Sequence, residues 1–183
     1  MNRTDTKRIV FLLVIFCFFT FAACAVRTPV QKVEVVKSNL IYENVVFRSF
    51  IAAPNVISPE AAIVDCMNSS MSYLTTKNLF RRVEKGSDKI FDEPTLFMDA
   101  TLTDLRIVSG GARFWVGAMA GRSHMKILVK LSDAKGTLVA EKELFGAPNA
   151  YGAAYSFGGS DRDLPKNMGI LLGDFILASA SSK

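Results

Sequence analysis

The stretch H-M-K-I-L-V-K-L-S-D-A-K-G-T-L-V-A-E-K-E, His124 to Glu143, holds two runs of side chains on either side of a polar turn. Met125, Ile127, Val129 and Leu131 alternate with His124, Lys126, Lys130 and Ser132, and only Leu128 breaks the pattern. A period of two is that of a half-buried strand. The run stops at Asp133-Ala134-Lys135-Gly136, a four-residue loop that predicts a hairpin. With Ser132 opposite Thr137, Lys126 faces Glu143, Leu131 faces Leu138 and Val129 faces Ala140, so charges meet on one face and apolar groups on the other. Lys142 falls opposite Ile127 on the apolar face and must reach out at the edge.

Upstream, T-L-F-M-D-A-T-L-T-D-L-R-I-V alternates through Leu96, Met98, Ala100 and Leu102, then restarts on Leu105 and Ile107. The slip of one residue predicts a bulge near Thr103 and Asp104. Ile41 to Ala52 is rich in β-branched and aromatic residues on both sides of any alternation, as an interior strand should be, and Phe80 to Glu84 reads as a short strand. Between them, Ser58-Pro59-Glu60 reads as a helix start with a capping hydroxyl, and Ile63, Met67, Met71 and Leu74 recur at threes and fours, flanked by Val64, Cys66 and Tyr73, until about Leu79. A last helix begins between Asp163 and Pro165 and carries Leu164, Met168, Leu171, Leu172 and Phe175 on one side. Gly169 and Gly173 within it point to a close approach of helix to sheet. Residues 146–163 read as loop. The order β-α-β-β-β-β-α predicts an α/β fold, a two-layer sandwich of one mixed, mostly antiparallel sheet with two helices on one face.

The amino end is of another kind. M-N-R-T-D-T-K-R is followed by an apolar run from Ile9 to Ala23, which at about 15 residues suits a secretory signal rather than the about 20 of a spanning helix. Its end, Phe21-Ala22-Ala23-Cys24, resembles the lipobox of bacterial lipoproteins, with phenylalanine where leucine is usual. That resemblance implies acylation of Cys24. With Ala25 rather than aspartate next, it also implies sorting to the periplasmic face of the outer membrane. Ala23-Cys24-Ala25 also satisfies an ordinary export site, a secondary alternative that gives a soluble periplasmic protein, and an unprocessed anchor is the third. The organisation expected is thus signal peptide 1–23, tether 24–38 and one domain over 39–183.

The net charge of +5 belongs in part to the signal, since Arg3, Lys7, Arg8 and Asp5 lie within it, and 19 basic and 16 acidic residues follow. No basic stripe interleaved with aromatics appears, so nucleic acid is not an expected partner. Of three cysteines, Cys17 lies in the signal, Cys24 at its end, and Cys66 among apolar residues at helical spacing, where burial is expected. Gly117 to Ser123 (G-A-M-A-G-R-S) is one residue short of a phosphate loop, has arginine where lysine is needed and precedes a strand. His124 is the only histidine and falls on a polar strand face, and Asp99, Asp104 and Asp133 lack metal-site spacing, so neither metal nor cofactor is expected. Ser156 lacks the strand-turn-helix elbow of a nucleophile, and no enzymatic activity is expected.

The motifs V-V-F-R-S-F, L-F-R-R-V, L-F-M-D-A-T-L-T-D, the G-x-x-x-G-R turn at Gly117 to Arg122 and K-L-S-D-A-K-G-T-L-V-A-E together resemble a family of small bacterial lipoproteins that carries a domain of unknown function, of the 4410 type. The likeness runs over about residues 41–180. It implies an envelope location and an α/β sandwich, and brings no catalytic residues.

The candidate binding residues lie in two glycine-rich segments. Ser109 to Ser123 reads as a wide turn between strands, carrying Phe114, Trp115, Val116 and Met119 between Arg113 and Arg122, and the second segment carries Tyr151, Tyr155 and Phe157. Either these side chains fold back to cap the core, or they form an apolar tip for a partner protein or lipid surface. The function expected is a non-enzymatic outer-membrane lipoprotein serving as a periplasmic binding or assembly module, its partners a membrane through the lipid and an envelope protein. The alternative is a carrier of a lipid or small apolar ligand in a pocket lined by Trp115, Tyr151 and Tyr155.

Overall fold

A computed structural model describes residues 40–86, 91–156 and 158–181. The expected signal 1–23, tether 24–38 and Cys24 lie outside them. The apolar run near residue 45 forms β1 (Asn44–Ala52), followed by α1 (Glu60–Lys77), β2 (Arg82–Lys85) and β3 (Thr95–Arg106). A short helix α2 (Gly110–Val116) and a 3-10 turn (Gly117–Ala120) lead into the hairpin β4 (His124–Ser132) and β5 (Leu138–Gly146). Two more short helices, α3 (Ala150–Tyr155) and α4 (Gly159–Arg162), precede α5 (Leu164–Ala180).

The sheet order is β2-β1-β3-β4-β5. It is mixed, as expected, with β1 parallel to β2 and β3, and β4 antiparallel to β3 and β5. The parallel half arises because α1 carries the chain back along the sheet, so that β2 enters in the direction of β1. One face is covered by α1 and α5. Val45, Met98, Met125, Ile127, Leu172 and Ile176 fill the space between sheet and helices together with fully buried Cys66. This core is drawn from residues 40–180, and Lys37–Lys183 is a compact unit.

The bulge in β3 falls where the phase slip predicts it, between Leu102 and Asp104 opposite Ile127 and Lys126. Past it, Leu105 pairs with Met125 and packs against the core. Without the extra residue Leu105 would face the opposite side.

The hairpin register differs from the expectation by two positions. Thr137 is drawn into the turn, where its amide and that of Lys135 each donate to the Asp133 carboxylate at 2.8 Å, so Ser132 pairs with Leu138. Val139 is then passed over, and Leu131 pairs with Ala140. Each slip alone would turn the strand inside out, whereas two restore the faces. Lys130 therefore meets Glu141 directly (3.6 Å), Lys126 reaches Glu143 diagonally (3.9 Å), and Lys142 lies opposite Val129 with its ammonium 5.9 Å from the Phe175 ring. The open face of the sheet carries the Lys130–Glu141 and Lys126–Glu143 pairs together with Arg48–Asp99.

Two local expectations are corrected. Pro59 takes the cap position of α1 with no side-chain cap, because Ser58 turns the chain with a φ of 50° one residue too early. The glycines of α5 face α1 rather than the sheet. A Cβ on Gly169 would lie within contact distance of the Cys66 carbonyl oxygen and 2.7 Å from Ser69 Cβ, and one on Gly173 would meet the Tyr73 ring at 2.5 Å. The helices lie close because these positions lack side chains. Within the expected apolar stripes, Val64 of α1 and Leu171 of α5 are exposed, whereas Ser70 of α1 is buried.

Candidate functional site

Both glycine-rich segments emerge at the end of the sheet where β3 ends and β4 begins, and neither is loop throughout. Ser109 caps α2 by accepting a hydrogen bond from the Ala112 amide at 3.2 Å. The first turn of α2 places Arg113 inward, where it is fully buried. Its Nε donates to Asp161 Oδ2 at 2.7 Å, its Nη2 to Oδ1 at 3.1 Å, and its Nη1 to the Gly117 carbonyl at 3.3 Å. The side chains of Arg113 and Asp161 are 0% exposed, so the pair is an internal clamp between α2 and α4.

The clamp is bidentate, the strong form of the arginine–carboxylate contact. Burial acts to raise the Asp161 carboxyl, but hydrogen bonds from Arg113 and Ser123 and the guanidinium charge hold it below the usual carboxylate range. The hydrogen bonds that Arg113 donates to Asp161 raise the guanidinium above its ordinary value against burial. Ser123 ties the base of the segment, because its Oγ also accepts from the Val108 amide at 2.8 Å. Gly158, at φ 81°, lets the two segments touch: a Cβ there would sit 3.0 Å from Gly110 Cα. The 3-10 turn packs against α3.

What the clamp presents outward is apolar. Phe114 is 63% exposed, Trp115 82%, Met119 91% and Tyr155 88%, with Val116 also exposed. Phe114 and Trp115 stand edge to face with centroids 5.2 Å apart. Arg122 is exposed on the same segment, and Arg106 lies beside it, its Nη2 against Gly121. Of the expected binding residues, Phe114, Trp115, Met119, Arg122 and Tyr155 are at the surface and Arg113 is interior. Tyr151 lies in α3 with its side chain outside the description, as is Phe157. Asp161 and Ser123 were not among the expected residues.

The remaining chemistry-bearing groups are scattered. Burial pushes the free Cys66 thiol up to about 12. His124 is half-buried on the open sheet face with Nε2 3.0 Å from Asp104 Oδ2. Ser156 donates to the Ala153 carbonyl at 3.2 Å. Among the described residues, no three histidine, cysteine or acidic side chains come together as metal ligands. A groove of about 450 Å³ between α1 and α5 is lined by Asn68, Ser72, Tyr73 and Lys166, and a cavity of about 230 Å³ lies beside Gly146 and Leu164. Neither includes Trp115 or Tyr155 in its walls.

Fold and site together define a two-layer α/β domain with a clamped apolar pole at one end of its sheet. The chain belongs to the family described as Domain of unknown function (DUF4410), whose profile matches residues 52–157, more than half of its length. Two solved structures of PelC dodecamers from Paraburkholderia phytofirmans are similar. The first, a single-substitution variant, is 11% identical and covers 74% of this chain and 90% of that one at a TM-score of 0.45. The second is 10% identical, with 77% and 90% covered, at 0.42. No curated protein matches the chain.

Proposed function

We propose that the chain is a non-enzymatic lipoprotein of the outer membrane, acylated at Cys24, whose domain is a periplasmic binding or assembly module. The contact surface of the module is the pole formed by α2, the 3-10 turn and α3. One observation carries this reading: Trp115, Met119 and Tyr155 stand almost wholly in solvent on a backbone fixed from within by the Arg113–Asp161 pair. Exposing large apolar groups on a pre-ordered support is the arrangement of a contact site, because little ordering is then left for binding. The amino-terminal reading is supported by the short apolar run and the Ala22-Ala23-Cys24 ending.

Two measurements test the proposal. Palmitate labelling in a Gram-negative host should mark the wild-type chain and fail for Cys24→Ser. An exported product with an unmodified terminus beyond Cys24 would refute the anchor. Site-specific photo-crosslinking from position 116 should trap a discrete envelope protein and lose it on Trp115→Ala, while the equally exposed Ile57→Ala has no effect. Equal loss in both variants would remove the pole from the contact.

A further inference from the structure

We infer that the clamped pole also docks on an anionic lipid surface, with Trp115, Phe114 and Met119 seated among the headgroups and arginines around them. The inference rests on the pole being a contact surface, and adds a second material that it contacts.

Three features point to lipid. The first is protrusion. Trp115, with Phe114 edge to face against it, Met119 and Tyr155 stand in solvent and line neither the groove nor the cavity described above. A protein partner needs a fitted pocket for each such anchor. The headgroup region of a bilayer deforms around them without one.

The second is residue type. Tryptophan and tyrosine favour the membrane–water boundary, where an apolar ring and a polar edge are both satisfied. Phe114, Val116 and Met119 supply the fully apolar portion that goes deeper. Short helices with one apolar side lie along this boundary.

The third is charge. Residues 107–123 and 144–160 contain two arginines and no carboxylate. Arg113 is neutralised internally by Asp161, which leaves Arg122 exposed on the pole, with exposed Arg106 and Arg162 at its flanks. The carboxylates that border these segments are Asp104, 3.0 Å from His124, Glu143, offset by Lys126 at 3.9 Å, and exposed Asp163. The balance is positive, and phosphate headgroups complement it.

Trp115 is the only tryptophan, so its emission reports this pole alone. Residues 37–183, which carry their own core, are titrated with vesicles of phosphatidylglycerol mixed with phosphatidylcholine, and with vesicles of phosphatidylcholine alone. The expected result is a blue shift of Trp115 emission and protection from iodide with the anionic vesicles, and much weaker partition with the neutral ones. Arg122→Gln and Arg106→Gln should each weaken partition about five-fold, the ratio given by ~1 kcal/mol per basic side chain near such a surface. Met119→Asp, at a site too exposed to burden the fold, should abolish the shift.

Emission that stays red and iodide-accessible at saturating anionic lipid overturns the inference, and equal partition into both vesicle types overturns its anionic part. The photo-crosslink to an envelope protein is a separate readout. Its survival in the first case would leave the module standing without the lipid contact.

Discussion

Replacing Asp161 with alanine leaves the Arg113 guanidinium buried, charged and without its carboxylate. Both side chains are 0% exposed, so water cannot take the place of the lost partner unless α2 moves. Removal of one member of such a pair costs about 3–5 kcal/mol. For a domain of this size about 3 °C of melting temperature goes with each kcal/mol, so thermal unfolding followed by circular dichroism should fall by about 10 °C. The pair Arg113→Met with Asp161→Leu removes both charges and fills the space with apolar atoms, and should lose much less than the two single changes added together. The same clamp carries a pH dependence. Asp161 is held below its usual range, so its contribution is present in full above the unfolded carboxylate value, ~4, and is lost as pH falls through the lower folded value. Asp161→Asn should therefore flatten the acid limb of the stability curve. Single variants that each lose under ~1 kcal/mol, or a double variant that loses their sum, would refute the view of Arg113–Asp161 as a coupled internal clamp.

Gly169→Ala gains helix propensity but drives a methyl group into the Cys66 carbonyl and Ser69 Cβ, and should lower the urea midpoint by about 1–3 kcal/mol equivalent with an unchanged slope. Cys66 should resist thiol reagents in the native protein and react fully in urea. Because folding raises this thiol from 9.0 to about 12, its contribution is complete below about 9 and declines as pH climbs toward about 12, which alkaline unfolding of Cys66→Ala against wild type would measure. Trp115→Ala removes a side chain that is 82% exposed, and its denaturation midpoint should stay within ~0.5 kcal/mol of wild type.

Much of the scaffold was legible because its cues are local. Alternation marked β3 and β4, and one phase slip located the bulge at Leu102–Asp104. The hairpin register was not legible, since it hinges on the Asp133 side chain gathering two amides and on Val139 leaving the ladder, and neither changes the apolar pattern. Close packing through Gly169 and Gly173 was visible, but not what they pack against, because a glycine shows that space is short without naming the neighbour.

At the site, the glycines hid α2. Ser109 as a cap followed by A-R-F-W-V was the available signal, and Gly110 and Gly111 outweighed it. The burial pattern then runs against residue type, with an arginine inside and the aromatics outside. Hydrophobicity ranks them the other way round. Only Asp161, 48 positions away within a polar run, explains the inversion, and no periodicity connects the two.

The two termini of the fold also bear on how the domain works. Leu40 pairs with Ser181 where β1 begins and α5 ends, while Trp115 rides at the far ends of β3 and β4. The twelve residues of β3 alone run ~40 Å between these poles. The domain is thus entered at one pole and presents its aromatic cluster at the other, so a force applied between Leu40 and Trp115 would run along the strands rather than across them.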